Sequence, residues 1–464
     1  MAISKRFHKL IGDKTFYAMV LSISVPIMVQ NGITNFVSLL DNLMVGQLGT
    51  EHMSGVSIVN QVLFVFNLCI FGAVSGAGIF CAQFYGSGNH EGIRDAFRFK
   101  ILICLAICAI GLCAFLSLGD TFISMFLHEG SEGGDLVLTL ESGRAYLKIM
   151  LLGLVFFAVK ESYASTLREM GQTLLPMKAG VAAVLINLVL NYVFIFGKLG
   201  CPAMGVVGAG LATVVSRIAE CLIVVIWTHK NSETCPFIRG AYKHFRIPLS
   251  LCRQITVKGM PLLVNEALWS LAMTILMQCY SVRGLAVVAG LNITSTINNL
   301  FSIVFMSMGN AVAIIAGRLL GASHYDEAQE SVSRLIAFSV GLAILVGSVV
   351  ALLSPLFPLL YKTTAEVRAL AAKFILIAAC TMPVHAFNHA SYFALRSGGK
   401  TIITFFFDGV YVWLISVPVA FFLSRFTGLP IVPLYAIVQS LDLLKCIVGY
   451  MLIKKGVWVN NIVS

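Results

Sequence analysis

The chain has 464 residues, 58% hydrophobic and 11% charged, with a net charge of +11 and a mean hydropathy of +0.90. A soluble globular chain carries about 25% charged residues, so this one has too little charge to cover a water-facing surface, and the bilayer must be part of its solvent. The apolar runs are too long for a transmembrane barrel, which alternates every second residue. The Lys and Arg excess falls between those runs, which reads as topology rather than as a nucleic-acid surface.

The stretch from Met1 to Lys14 is basic. The apolar run that follows reaches Val45, too long for a signal-peptide core, and no small-residue cleavage site stands out. It is read as a first membrane span. At about 20 apolar residues per span, roughly twelve spans are expected, near 17–44, 53–83, 97–118, 144–167, 174–197, 205–228, 258–281, 286–317, 334–357, 370–394, 402–423 and 432–453. The chain is therefore expected to be an all-α integral membrane protein.

Basic residues then set the orientation. With the N-terminus inside, the inner segments hold Lys5, Arg6, Lys9 and Lys14, then Arg94, Arg98 and Lys100, then Arg168 and Lys178. The longest inner linker adds Lys230, Arg239, Lys243, Arg246, Arg253 and Lys258. The segment from Gly119 to Leu140 carries Asp120, Glu129, Glu132 and Asp135 and no Lys or Arg. Both termini are expected in the cytoplasm, with the protein in the plasma membrane. The 12 cysteines form no CxxC pair; in apolar runs, as at Cys104, Cys108 and Cys113, such a residue behaves as a small apolar side chain.

An internal repeat organises the chain. Pro26, Gly49, Gly55 and Gly86 have partners Pro261, Gly284, Gly290 and Gly321, all at an offset of 235. Leu167 to Thr173 and Leu395 to Thr401 share the pattern LRxxGxT at an offset of 228. Two six-helix lobes are expected, 1–228 and 258–464, joined by a cytoplasmic linker at 229–257. An even number of spans per lobe gives both the same topology, hence a pseudo-two-fold axis along the membrane normal, with a substrate site between lobes near the midplane.

Ionisable residues within spans are functional candidates by default. Asp41 lies near the outer end of span one, where desolvation favours the neutral acid and lets it carry a proton or release one to a cation. Asn187 and Asn191, at i and i+4, share a face of span five, and Thr213 lies on span six. They supply the oxygens hard cations prefer, or else they tie helices together. The repeat partners are Leu276, Ile415, Val419 and Leu441, so the polar cluster belongs to the first lobe only. In span seven Glu266, with Trp269 three residues on, suits an organic cation by charge and cation–π attraction; its repeat partner is Asn31. Lys160 with Glu161, and Arg217 with Glu220, are read as structural pairs. His385 and His389 have metal-ligand spacing, but no third ligand is evident, so hydrogen bonding along a pore is preferred to a metal. Gly398-Gly399-Lys400-Thr401 lacks the leading glycine of a phosphate loop.

Several segments together resemble the multidrug and toxic compound extrusion (MATE) family. Asp41-Asn42-Leu43-Met44-Val45-Gly46 is similar to its span-one element. Leu167 to Pro176, with Asn187, Asn191 and Phe196-Gly197, is similar to its span-four-to-five signature, and Gly208 to Thr213 to its span-six start. Asn265 to Trp269 resembles span seven of the DinF-like prokaryotic branch. That branch often has Asp where this chain has Asn191, and another branch has Asp roughly where His385 falls. The resemblance implies a secondary-active antiporter that exports amphipathic or cationic small molecules in exchange for H⁺ or Na⁺ by alternating access. Asp41, Asn187, Asn191 and Thr213 would be its coupling-ion site, and Glu266, Trp269, Asn31, His385 and His389 its substrate contacts. The alternative is a flippase for lipid-linked saccharides from the same superfamily. No enzyme activity, metal or cofactor beyond the coupling ion is expected. The expected partners are an organic-cation substrate and membrane lipids, with no nucleic acid, and the protein is expected to be a monomer.

Overall fold

A computed structural model describes residues 11–125, 135–244 and 246–464, without the side chains of 37–39. Lys5, Arg6, Lys9, Glu129 and Glu132, used above to orient the chain, lie outside the described residues. Among the described residues twelve helices are long and apolar enough to cross a membrane: α1 (Lys14–Gly46), α2 (Thr50–Gly86), α3 (His90–Ser124), α4 (Leu136–Glu169), α5 (Leu174–Phe196), α6 (Gly205–Lys230), α7 (Leu249–Ser281), α8 (Leu285–Gly321), α9 (Tyr325–Leu353), α10 (Ala365–Ser397), α11 (Thr401–Phe426) and α12 (Ile431–Lys454). No strand occurs among the described residues. Most helices run past the apolar windows because their ends carry polar residues that hydropathy leaves out; Asp135, for example, caps α4 by accepting from the amides of Val137 and Leu138.

The described chain forms two compact units. The amino-terminal unit is Val29–Cys81 with His90–Ile255; the carboxy-terminal unit is the described part of Met1–Met28 with Ala82–Asn89 and Thr256–Ser464. These bounds differ from the lobe bounds of the sequence at three places: the start of α1, the end of α2, and the linker, most of which falls in the amino-terminal unit. The start of α1 sits on α9, with the Tyr17 ring 5.0 Å from Phe338. The end of α2 crosses the end of α8, where a Cβ on Gly86 would meet Arg318 O at 1.9 Å and one on Gly321 would meet Gln83 O at 1.9 Å. Those two contacts are exchanged by the offset of 235, as is the meeting of Ala82 with Gly317, so the repeat glycines are there to let two backbones touch.

In the amino-terminal unit, Val59, Leu63, Phe66 and Ile70 of α2 pack with Cys104 and Cys108 of α3 and Met150 and Leu154 of α4; the buried cysteines fill space as small apolar groups, and all twelve are free. The linker between α6 and α7 is docked against this unit. Arg98 donates to the carbonyls of Gly240 and Ala241 at 2.8 Å, and buried Phe237 packs on Phe97, ring centroids 5.0 Å apart. Burial there pushes the Cys235 thiol up to about 11, which keeps it protonated and inert at neutral pH.

In the carboxy-terminal unit two helices are irregular. α11 has wide π turns at Phe406–Val410 and Val412–Ser416. α12 is interrupted at Leu441, between Ile431–Ser440 and Asp442–Lys454. Side chains also bond the backbone at the interruption: Tyr411 Oη donates to Leu441 O at 2.6 Å, and Asn388 Nδ2 to Asp442 O at 3.1 Å. Irregular turns of this kind are tolerated in a membrane only where the freed backbone groups are satisfied again.

Candidate functional site

The four residues expected at a first-lobe site meet. α1 brings Asp41, α5 brings the i, i+4 pair Asn187 and Asn191, and α6 brings Thr213. Asn191 Nδ2 donates to Asp41 Oδ1 at 2.5 Å and to Asn187 Oδ1 at 3.1 Å. Asn187 Nδ2 donates to Thr213 Oγ1 at 3.3 Å, and that hydroxyl donates to Ala209 O at 3.0 Å. Both asparagines are buried, Asp41 is half-buried, and no basic side chain pairs with it among the described residues.

With its amide turned to put nitrogen toward Asp41, Asn187 donates to Asp41 Oδ1 at 2.9 Å and reaches Oδ2 at 3.3 Å, which suits a carboxylate.

The residues expected to contact substrate have the following neighbours. Glu266 is half-buried on α7 and makes no hydrogen bond or ion pair among the described residues. Trp269, three residues on, is 39% exposed. His385 does not line a pore alone: its Nδ1 meets Asp442 Oδ2 at 2.9 Å. His389 turns instead to α8, packed edge-on to Phe305 and Phe393 and against Gly309, so the two histidines serve different neighbours. Asn31 lies in the other unit and has no hydrogen bond among the described residues. The pairing of Arg217 with Glu220 does not form: Glu220 Oε1 lies 3.7 Å from Lys160 Nζ, which also holds Glu161 at 3.0 Å. Arg217 instead lies over the Phe157 ring, 5.2 Å from its centroid, and its Nη1 is buried without a partner.

Sequence reasoning missed a second cluster. Asp408, inside the π turns of α11, accepts from Lys445 of α12 through Oδ1 and from Asn265 of α7 through Oδ2 at 3.0 Å. Asn265 Oδ1 accepts from Gly409 N at 2.8 Å, and a Cβ at Gly409 would meet that oxygen at 2.7 Å. It also missed Lys100, buried against Glu169 at 2.5 Å with Ser165 and Thr166. The signal was present: each is an ionisable residue inside or beside an apolar run, as Asp41 and Glu266 are.

The MatE family model matches residues 26–193 and 261–422. A probable multidrug resistance protein NorM of Thermotoga maritima is 23% identical over 88% of this chain and 85% of its own. A probable multidrug resistance protein YoeA of Bacillus subtilis is likewise 23% identical, over 88% and 87%. A solved outward-facing multidrug resistance MATE family transporter of the MOP superfamily superposes with a TM-score of 0.85 at 18% identity, over 97% of this chain and 98% of that one.

Proposed function

The chain belongs to the MatE family, a family of multidrug efflux transporters rather than enzymes, and from that premise we propose that it exports amphipathic, preferentially cationic small molecules in exchange for protons. The observation that carries the reading is Asp41, a carboxylate held by Asn191 among buried amides with no basic partner among the described residues. Protonation needs one such carboxylate. A Na⁺ site needs several oxygens to replace the ion's water, and ligand charge tunes its affinity; this cluster offers one carboxylate, two amides and a hydroxyl. In this reading the six-helix lobes 1–228 and 258–464, joined by 229–257, rock about a central cavity, the protein works as a monomer, and both termini face the cytoplasm across the plasma membrane. Glu266 reads the charge of the substrate. A flippase for lipid-linked saccharides would want several free basic groups for phosphates, whereas Lys100, Lys160, Arg168 and Lys445 are each paired with a carboxylate, and Arg217 lies over the Phe157 ring.

The test is efflux from Na⁺-free proteoliposomes under an imposed pH gradient, with ethidium and a lipid-linked sugar side by side. Ethidium should move and the sugar should not. Asp41→Asn should stay folded and bind ethidium while losing gradient-driven efflux. Recovery of wild-type efflux only on adding Na⁺ would replace the proton, and a normal rate in Asp41→Asn would remove the residue from coupling.

A further inference from the structure

The offset of 228 that relates α6 to α12 pairs Arg217 with Lys445. Each half therefore carries one cation at the same place in the repeat, within an apolar helix. Their surroundings differ. Arg217 lies over the Phe157 ring with Nη1 buried and unpartnered, and Asp41 of the same unit has no counter-charge among the described residues. Lys445 is buried, its Nζ on Asp408 Oδ1, 5.2 Å from the Phe407 ring centroid and 6.0 Å from that of Tyr411. Asp442, one turn earlier on α12, acts on it electrostatically and is itself paired with His385.

A carboxylate, a neighbouring second carboxylate and two ring faces are the surroundings in which a desolvated monovalent cation is held. Here that cation is covalently attached to the protein. We propose that Lys445 is the resident cation of the carboxy-terminal unit: its ammonium fills a site that would otherwise take a small metal cation, so this unit binds no coupling ion. Coupling is then left to the unit in which the repeat-related cation, Arg217, does not neutralise the carboxylate. Asp408 Oδ2 stays committed to Asn265, so removing the ammonium uncovers Oδ1 in a frame that α7 and α11 still hold. A buried carboxylate stranded in this way must recruit a positive partner. Asp408 faces Lys445 and Asn265; Glu266 and Arg396 are the further charged groups within electrostatic reach of that α7–α11 contact, and His385 with Asp442 closes the α10–α12 side.

The experiment is equilibrium binding of radioactive Na⁺ to purified protein at alkaline pH, with melting temperature followed in NaCl and in choline chloride. Lys445→Met should bind one Na⁺ per chain more than wild type, and NaCl but not choline should raise its melting temperature. Lys445→Arg, which keeps a cation, and the double variant Asp408→Asn with Lys445→Met, which removes both charges, should behave as wild type. No added Na⁺ binding in folded Lys445→Met overturns the inference, as does equal added binding in the double variant. Failure of Lys445→Met to fold in NaCl while the double variant folds also overturns it, since Na⁺ would then not fill the place of the ammonium. Asp41 is intact in every protein, so any ion it takes is part of the wild-type baseline, and the proton reading can fail without this one.

Discussion

Asp41 and Glu266 show two ways in which a carboxylate can be useful inside a membrane. Asp41 is surrounded by amide groups that can serve either protonation state. At position 191 the donor is Asn; an Asp there would put a carboxylate oxygen where Nδ2 now lies, 2.5 Å from Asp41 Oδ1, and add a charged ligand. Asn191→Asp is therefore expected to make transport Na⁺-dependent, measured as efflux against Na⁺ concentration at fixed pH; an unchanged response would mean that position 191 does not face the ion. Glu266 makes no ion pair among the described residues, so its charge is available to a ligand. One charge pair in a partly hydrated cavity, at an effective dielectric near 20, is worth at most about 4 kcal/mol. Glu266→Gln should weaken binding of a cation more than that of a neutral analogue of the same shape, by titration of both; equal losses would make Glu266 a structural residue. Both carboxylates were legible as charges inside apolar runs. The partners of Asp41 were legible too, because i, i+4 spacing puts two asparagines on one face. Asp408 and Lys445 met the same criterion but are 37 residues apart, and only the folded chain brings them together.

Among the helices, the regular parts followed from hydropathy and the irregular parts did not. The π turns of α11 and the interruption of α12 leave no trace in an apolar run, and the side chains that bond the backbone at the interruption, Tyr411 and Asn388, come from elsewhere in the sequence. The segment 457–464 after α12 has the same character. Gln83 Nε2 donates to Ser397 O at 2.9 Å and Asn460 O at 3.1 Å, and its Oε1 accepts from Ile462 N at 2.8 Å. Gly398 has no room for a Cβ against Trp458 O, and Trp458 is fully buried. The segment thus holds the ends of α2 and α10 together, within the carboxy-terminal unit. Trp458→Ala is expected to cost about 3–5 kcal/mol, seen as a lower melting temperature. Trp458→Phe should cost under about 1.5 kcal/mol, because Nε1 has no hydrogen bond to lose. Equal losses in the two variants would show that the indole is held by more than packing.

At the scale of the whole transporter, the number of ions per cycle follows from which carboxylates stay free. The repeat announced two similar halves in the sequence, yet the halves differ at their carboxylates: Asp41 has no basic partner among the described residues, and Asp408 has Lys445, which is the difference the proposed coupling rests on. One proton entering for each monovalent organic cation leaving moves no net charge, so export of such a cation should follow the pH gradient alone. A tenfold proton gradient is worth about 1.4 kcal/mol, which limits accumulation to about tenfold. A neutral substrate exchanged for one proton carries one net charge inward, so the membrane potential adds about 2.3 kcal/mol per 100 mV. In proteoliposomes without a pH gradient, a potential set by valinomycin and K⁺, negative on the side from which substrate leaves, should drive export of a neutral analogue and leave a monovalent cation unmoved. If the cation also follows the potential, more than one ion is taken up per cycle, the carboxy-terminal unit must supply the second site, and Lys445 would have to leave Asp408 during transport.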